Sequence, residues 1–245
     1  MSRTTKLILD IVIGAVIPIL ILNNLSKPLG APTAYVIAAL IPVAWVFIDL
    51  FAITRRFNFI TSYVGLTAVI NGALAFWFVD GLRYALKDTA GVFVSVLIFG
   101  GSLLVGKPII LYFLKQTLNP DTPKREQSLD ELIGAPSVRR SLVLGTVIIT
   151  IATAITGTIN IFLNLTNVTA AFGTDAFNQQ VAYVNAISRI LYPLLSFVSF
   201  GVALWFIYRA LYMQLPSEEG KSQLESDFWE LVELRAVTTG DEVML

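Results

Sequence analysis

The chain has 245 residues, of which 56% are hydrophobic and 14% charged, with a mean hydropathy of +0.74. A soluble domain carries roughly 25% charged residues, so these proportions exclude an ordinary water-soluble fold and make lipid part of the solvent. Lys plus Arg and Asp plus Glu balance at 17 each, with no dense basic run, which argues against a nucleic-acid partner. The absence of Cys and His excludes disulfides, thiolate or imidazole metal ligands, and thiol or imidazole catalysis.

In chain order, MSRTTK leads into the apolar run LILDIVIGAVIPILIL. A cationic start of this kind resembles a signal peptide, but NNLSKPLG follows where a small-residue cleavage site would stand, so the run reads as an uncleaved first helix near 7–24. A second segment, 32–53, stops at Thr54, Arg55 and Arg56, and a third, 57–79, ends at a polar turn around Asp80 and Gly81. The fourth, 91–115, is long enough for a hydrocarbon core of about 30 Å, yet it carries Lys107 followed at once by Pro108. The interval LNPDTPKREQSLDELIGAPSVRR reads as a solvated loop, with a short surface helix starting near Ser128, Asp130 and Glu131. Segments 141–164 and 181–211 follow. Arg189 near the outer end of the last segment, ahead of Pro193, predicts a short interfacial helix before a kink, with Arg189 snorkelling to headgroups. Residues 215–245 form an acidic tail, helical around 227–234, where Phe228, Leu231, Val232 and Leu234 make a narrow apolar stripe. The reading is an all-α polytopic membrane helical bundle over 1–214, with about six transmembrane helices and a C-terminal tail.

Orientation follows from the basic residues, which favour the cytoplasmic side. With the N-terminus inside, the inner loops and tails hold Arg3, Lys6, Arg55, Arg56, Lys115, Lys124, Arg125, Arg139, Arg140, Arg209, Lys221 and Arg235. The outer side holds Lys27, Arg83 and Lys87, so both termini are expected in the cytoplasm.

Two groups of residues stand out. The assigned directions bring Asp10, Asp49 and Lys107 to a similar depth in the inner leaflet, where an ionic cluster would offset the cost of burying them. In the other reading the carboxylates reach headgroup water and Lys107 snorkels along its stem. On segment five, Thr146, Thr150, Thr153, Gly157, Asn160 and Asn164 recur at helical spacing and draw one small and polar stripe. Such a stripe serves close packing and interhelical hydrogen bonds more often than a wet groove, and Asn71 reads the same way. No residue set suggests a cofactor, a metal or an enzyme: Ser102 and Lys107 are five apart, about 140° around a helix, a poor placement for a nucleophile and its base.

The run FGGSLLVGKPIILYFLKQTL, from Phe99 to Leu118, resembles the signature of the bacterial intracellular septation protein A family and its sister membrane proteins, in which a helix rich in small residues leads into a Lys-Pro pair and a basic helix end. KLILDIVIGAVIPILIL, the Arg55-Arg56 stop and GTINIFLN extend the similarity over most of 6–213. The chain departs from the family in its longer loop after segment four and its acidic tail. The resemblance implies a multi-pass protein of the bacterial inner membrane, a non-enzymatic scaffold for septation or envelope maintenance. Its partners would be the bilayer and other membrane proteins or a second copy. The alternative is a small secondary transporter or channel with its charged site at Lys107, because six crossings divide into antiparallel halves.

Overall fold

A computed structural model describes residues 5, 9–54, 59–216 and 226–242. Regular structure among these residues is entirely helical. The helices are α1 (Leu9–Asn24), α2 (Ser26–Leu29), α3 (Ala31–Ile48, continued by a π-helical turn, Asp49–Thr54), α4 (Phe59–Ala75), α5 (Gly81–Asp88) and α6 (Ala90–Leu104). They continue as α7 (Ile110–Leu118), α8 (Pro123–Gly134), α9 (Pro136–Asn167), α10 (Asp175–Tyr212) and α11 (Phe228–Glu242). Three helical stretches, Ala31–Ile53, Pro136–Asn167 and Asp175–Tyr212, are long and apolar enough to cross a membrane. A fourth span results if α5 and α6, bent by 46° at their junction, act together; α1 and Ser62–Ala75 are shorter apolar helices. Large apolar side chains such as Leu97, Leu104, Ile190 and Phe197 lie exposed along these helices, as a lipid-facing surface requires.

Local chemistry explains the boundaries. Gly30, with φ +80, supplies the left-handed turn between α2 and α3. Pro18 lacks an N–H, and the π-helical turn Val12–Val16 lies directly ahead of it. Segment 91–115, read from sequence as one helix, is divided into α6 and α7: Gly106 takes φ +68 and Pro108 cannot donate a backbone hydrogen bond. The interval expected to be a loop is mostly helical. Thr122 accepts from the Arg125 N–H at 3.3 Å as the N-cap of α8, and Pro123 and Pro136 occupy helix starts, where proline is favoured. Where a polar outer turn was expected, residues 81–88 form α5. The kink expected at Pro193 leaves α10 continuous.

The chain forms two compact units, 1–97 with 152–196, and 98–151 with 197–245. In the first unit, α1 packs on α3 and α3 on α4, around a core that includes Leu22, Ala34, Ala38, Phe177, Val181 and Ala182. Burial between helices in lipid gains little from the hydrophobic effect, so close approach through small residues matters more; Ala34, Ala38 and Ala85 are all buried. Tyr35, Tyr84, Phe172 and Phe177 interlock edge to face, with Tyr84 and Phe177 centroids 5.0 Å apart. Asn178 joins α10 to the α2–α3 turn by donating to Ser26 Oγ at 2.7 Å and the Ala31 carbonyl at 2.8 Å.

In the second unit, Ile110, Leu114, Leu129, Leu132, Leu142, Ile207 and Leu211 are buried. The tail helix α11 packs on α8 through Leu231 and Val232, while Leu234 is exposed. Arg125 clamps this contact: its guanidinium donates twice to Glu233, pairs with Asp121 at 3.0 Å and lies 5.2 Å from the Trp229 ring. The bonds to Glu233 hold the Arg125 guanidinium above its ordinary range.

Candidate functional site

Helix α5 is short and ends in the sequence Lys87, Asp88, Thr89. Its last turn carries chemistry that the apolar helices around it lack. Lys87 is only 5% exposed. Its ammonium donates to the Trp77 carbonyl at 2.7 Å and sits 4.7 Å from the centre of the Tyr35 ring and 5.7 Å from that of Tyr84. A carbonyl and two aromatic faces thus replace part of its hydration shell.

Asp88 faces the amide pair of α9. Its Oδ2 accepts from Asn160 Nδ2 at 3.1 Å and Asn164 Nδ2 at 2.9 Å. Asn160 also donates to Thr89 Oγ1 at 2.9 Å and accepts from the Tyr192 hydroxyl at 2.6 Å. Asn160 and Asn164 are both buried and lie four apart, on one helix face, so two amides converge on one carboxylate. Gly157, one turn earlier, makes the approach possible: a Cβ there would lie 3.0 Å from Val92 and 3.4 Å from Thr89.

Lys87 and Asp88 border a cavity of about 320 Å³ within the first unit. Its polar wall is formed by Asn71, Lys87, Asp88, Asn185 and Arg189, with Tyr35 and Tyr84. Thr67 also lines it, and the apolar lining includes Pro18, Leu22, Ala38, Pro42, Val43 and Val46. The side chains of Asn71, Asn185 and Arg189 make no hydrogen bond or salt bridge to a described residue, and the Asp88 carboxylate acts on Arg189 electrostatically. Gly91 leaves Asn71 its room, since a Cβ at 91 would stand 3.2 Å from the Asn71 Oδ1. The arrangement offers donors and a net positive charge facing an apolar surface, which suits binding. Among the described residues no three His, Cys, Asp or Glu side chains group as metal ligands would.

The residues singled out by sequence are distributed as follows. Gly157, Asn160 and Asn164 come together against α5 and the start of α6. Thr146 and Thr150 lie in the second unit, where Thr146 Oγ1 is 3.5 Å from the Ile110 N–H and a Cβ at Gly100 would lie 3.9 Å from Thr150. Thr153 is on α9 between the two groups. Asp10 accepts from Trp45 Nε1 at 2.7 Å, and Asp49 opens the π-helical turn after α3. Both belong to the first unit, whereas Lys107 belongs to the second, exposed in the break between α6 and α7. Of the basic residues used for orientation, Arg3, Lys6, Arg55, Arg56 and Lys221 lie outside the described residues.

Sequence reasoning placed Lys87 in an outer turn and Arg189 among headgroups, and it passed over Asp88. A signal was present: two amides four apart on an apolar helix need an acceptor, and Asp88 directly precedes an apolar run. No protein-family model, curated protein or solved structure matches the chain.

Proposed function

We propose that the chain is a membrane protein of six crossings, with both termini cytoplasmic, that binds a small polar solute in the cavity bordered by Lys87, Asp88 and Arg189. The observation that carries this reading is the trio of Asn71, Asn185 and Arg189, whose side chains make no hydrogen bond or salt bridge to a described residue and line a space of about 320 Å³. Polar groups among apolar helices are costly unless something meets them, and water or a solute meets them here. The volume falls at the small end of ligand sites, which in bundles lie between helices. The Lys/Arg bias supports the orientation. Six crossings require α1 and Ser62–Ala75 to span as well, which short helices do by local thinning and snorkelling of their flanks. A secondary transporter or channel is the natural use of such a site.

The test is thermal unfolding of the full chain in detergent against a panel of small anions, cations, zwitterions and neutral solutes. At least one should raise the midpoint saturably, and Asn185→Trp, which fills the cavity, should abolish the rise. No response to any solute would overturn the reading.

The scaffold reading, a bacterial inner-membrane factor for septation or envelope maintenance, draws support from a different place. Leu104 is 90% exposed and Val105 71% exposed, beside the exposed Lys107, an apolar and cationic knuckle of the kind a partner helix covers. A photo-crosslinker at Val105 should then capture protein; capture of lipid alone would remove that support.

A further inference from the structure

Resting on the reading of this cavity as a solute site, we infer that its ligand is a small organic monocarboxylate, with the carboxylate held by Arg189 and Asn185 and a short aliphatic tail on the apolar wall. Charge decides the head group. Lys87 and Arg189 bring two positive charges to the cavity and Asp88 one negative charge, so a single negative charge balances the site. Asp88 is engaged by the framework: both α9 amides hold its Oδ2, and it offsets Lys87, its neighbour in the chain. Arg189 makes no salt bridge to a described residue, and the one carboxylate that acts on it, Asp88, already serves Lys87 and the α9 amides. A guanidinium presents paired N–H donors that match the two oxygens of a carboxylate. Asn185, four residues earlier on α10, shares its helix face and adds an amide donor.

The rest of the cavity decides the tail. Leu22, Ala38, Pro42 and Val43 offer hydrocarbon and no polar side chain, which favours a ligand with an apolar end over a bare inorganic anion. The space holds about ten water molecules at about 30 Å³ each, too few for a membrane-lipid chain. A zwitterion fits less well, because it carries no net charge and leaves the single positive charge of the site unbalanced. A dicarboxylate would bring a second charge with no cation left to meet it.

The experiment is equilibrium binding of radiolabelled butyrate to the full chain in detergent, with butylamine, butyramide, 2-aminobutyrate and inorganic phosphate as competitors. Saturable binding that none of the four displaces at equal concentration is expected. Arg189→Gln should weaken it about tenfold or more, as loss of a charged hydrogen-bond partner does, and Arg189→Lys less. Both variants should stay folded without ligand, with midpoints close to the native one, since the Arg189 side chain makes no hydrogen bond or salt bridge to a described residue. Displacement by 2-aminobutyrate or phosphate, or unchanged affinity in Arg189→Gln, would overturn the monocarboxylate while leaving a solute site. Absence of butyrate binding, with a response to another solute, would do the same. Absence of binding by every compound would overturn the solute site as well.

Discussion

Asn160 is the residue on which the polar core turns, because one amide serves Asp88, Thr89 and Tyr192 at once. Replacing it with Leu removes the donor of two acceptors, Asp88 and Thr89, and the acceptor of two donors, Tyr192 and Asn164, and each buried group left unpaired costs about 1 to 3 kcal/mol. Asn160→Leu should therefore destabilise the protein severely in detergent unfolding. Tyr192→Phe, which deletes a single hydroxyl, should cost about 1 kcal/mol. Equal stability of Asn160→Leu and the native chain would mean that the network is not formed. The stripe on α9 was legible in the sequence, since spacing alone put Gly157, Asn160 and Asn164 on one face. What they face was not legible: Lys87 and Asp88 sit in a short polar stretch between apolar segments, and only tertiary packing turns those charges inward.

The helices were legible wherever apolar composition ran unbroken, as in α3, α9 and α10, and illegible where a proline or glycine has two local meanings. Pro123 and Pro136 lie in an interval that reads in the sequence as a solvated loop, but they occupy helix starts. Gly106, beside Pro108, reads in the sequence as a loosening of one helix, whereas its φ of +68 ends that helix and turns the chain between α6 and α7. Gly106→Ala should cost about 1 to 2 kcal/mol, the penalty for a left-handed residue with a Cβ, measured by unfolding in detergent. Packing glycines separate in the same assay. Gly157→Leu meets Val92 at 3.0 Å from its Cβ onward and should lower stability, whereas Gly201, with nothing within 4 Å, should accept Leu unchanged. If both behave alike, α9 does not pack closely at Gly157.

For the molecule as a whole, composition announced lipid, and three or four helices long enough to cross agree with it. In the proposed orientation, which rests on the Lys/Arg bias, α8 is cytoplasmic. With no native Cys, Ser128→Cys should resist an impermeant thiol reagent in intact cells and react after permeabilisation. Reaction in intact cells would invert the topology. The cavity itself could not be read from the sequence, because its wall gathers Tyr35, Asn71, Lys87 and Arg189 from four separate helices. Its wetness is tested most directly by the reaction rate of Asn185→Cys with small methanethiosulfonate reagents in native membranes, compared with Phe197→Cys, 80% exposed on an apolar helix. Asn185→Cys should react readily, and faster with the anionic sulfonate than with the cationic trimethylammonium reagent, while Phe197→Cys in lipid stays unreactive because thiolate chemistry needs water. An Asn185→Cys that reacts with neither reagent until the protein is unfolded would contradict a solvent-filled, positively charged site beside Lys87 and Arg189.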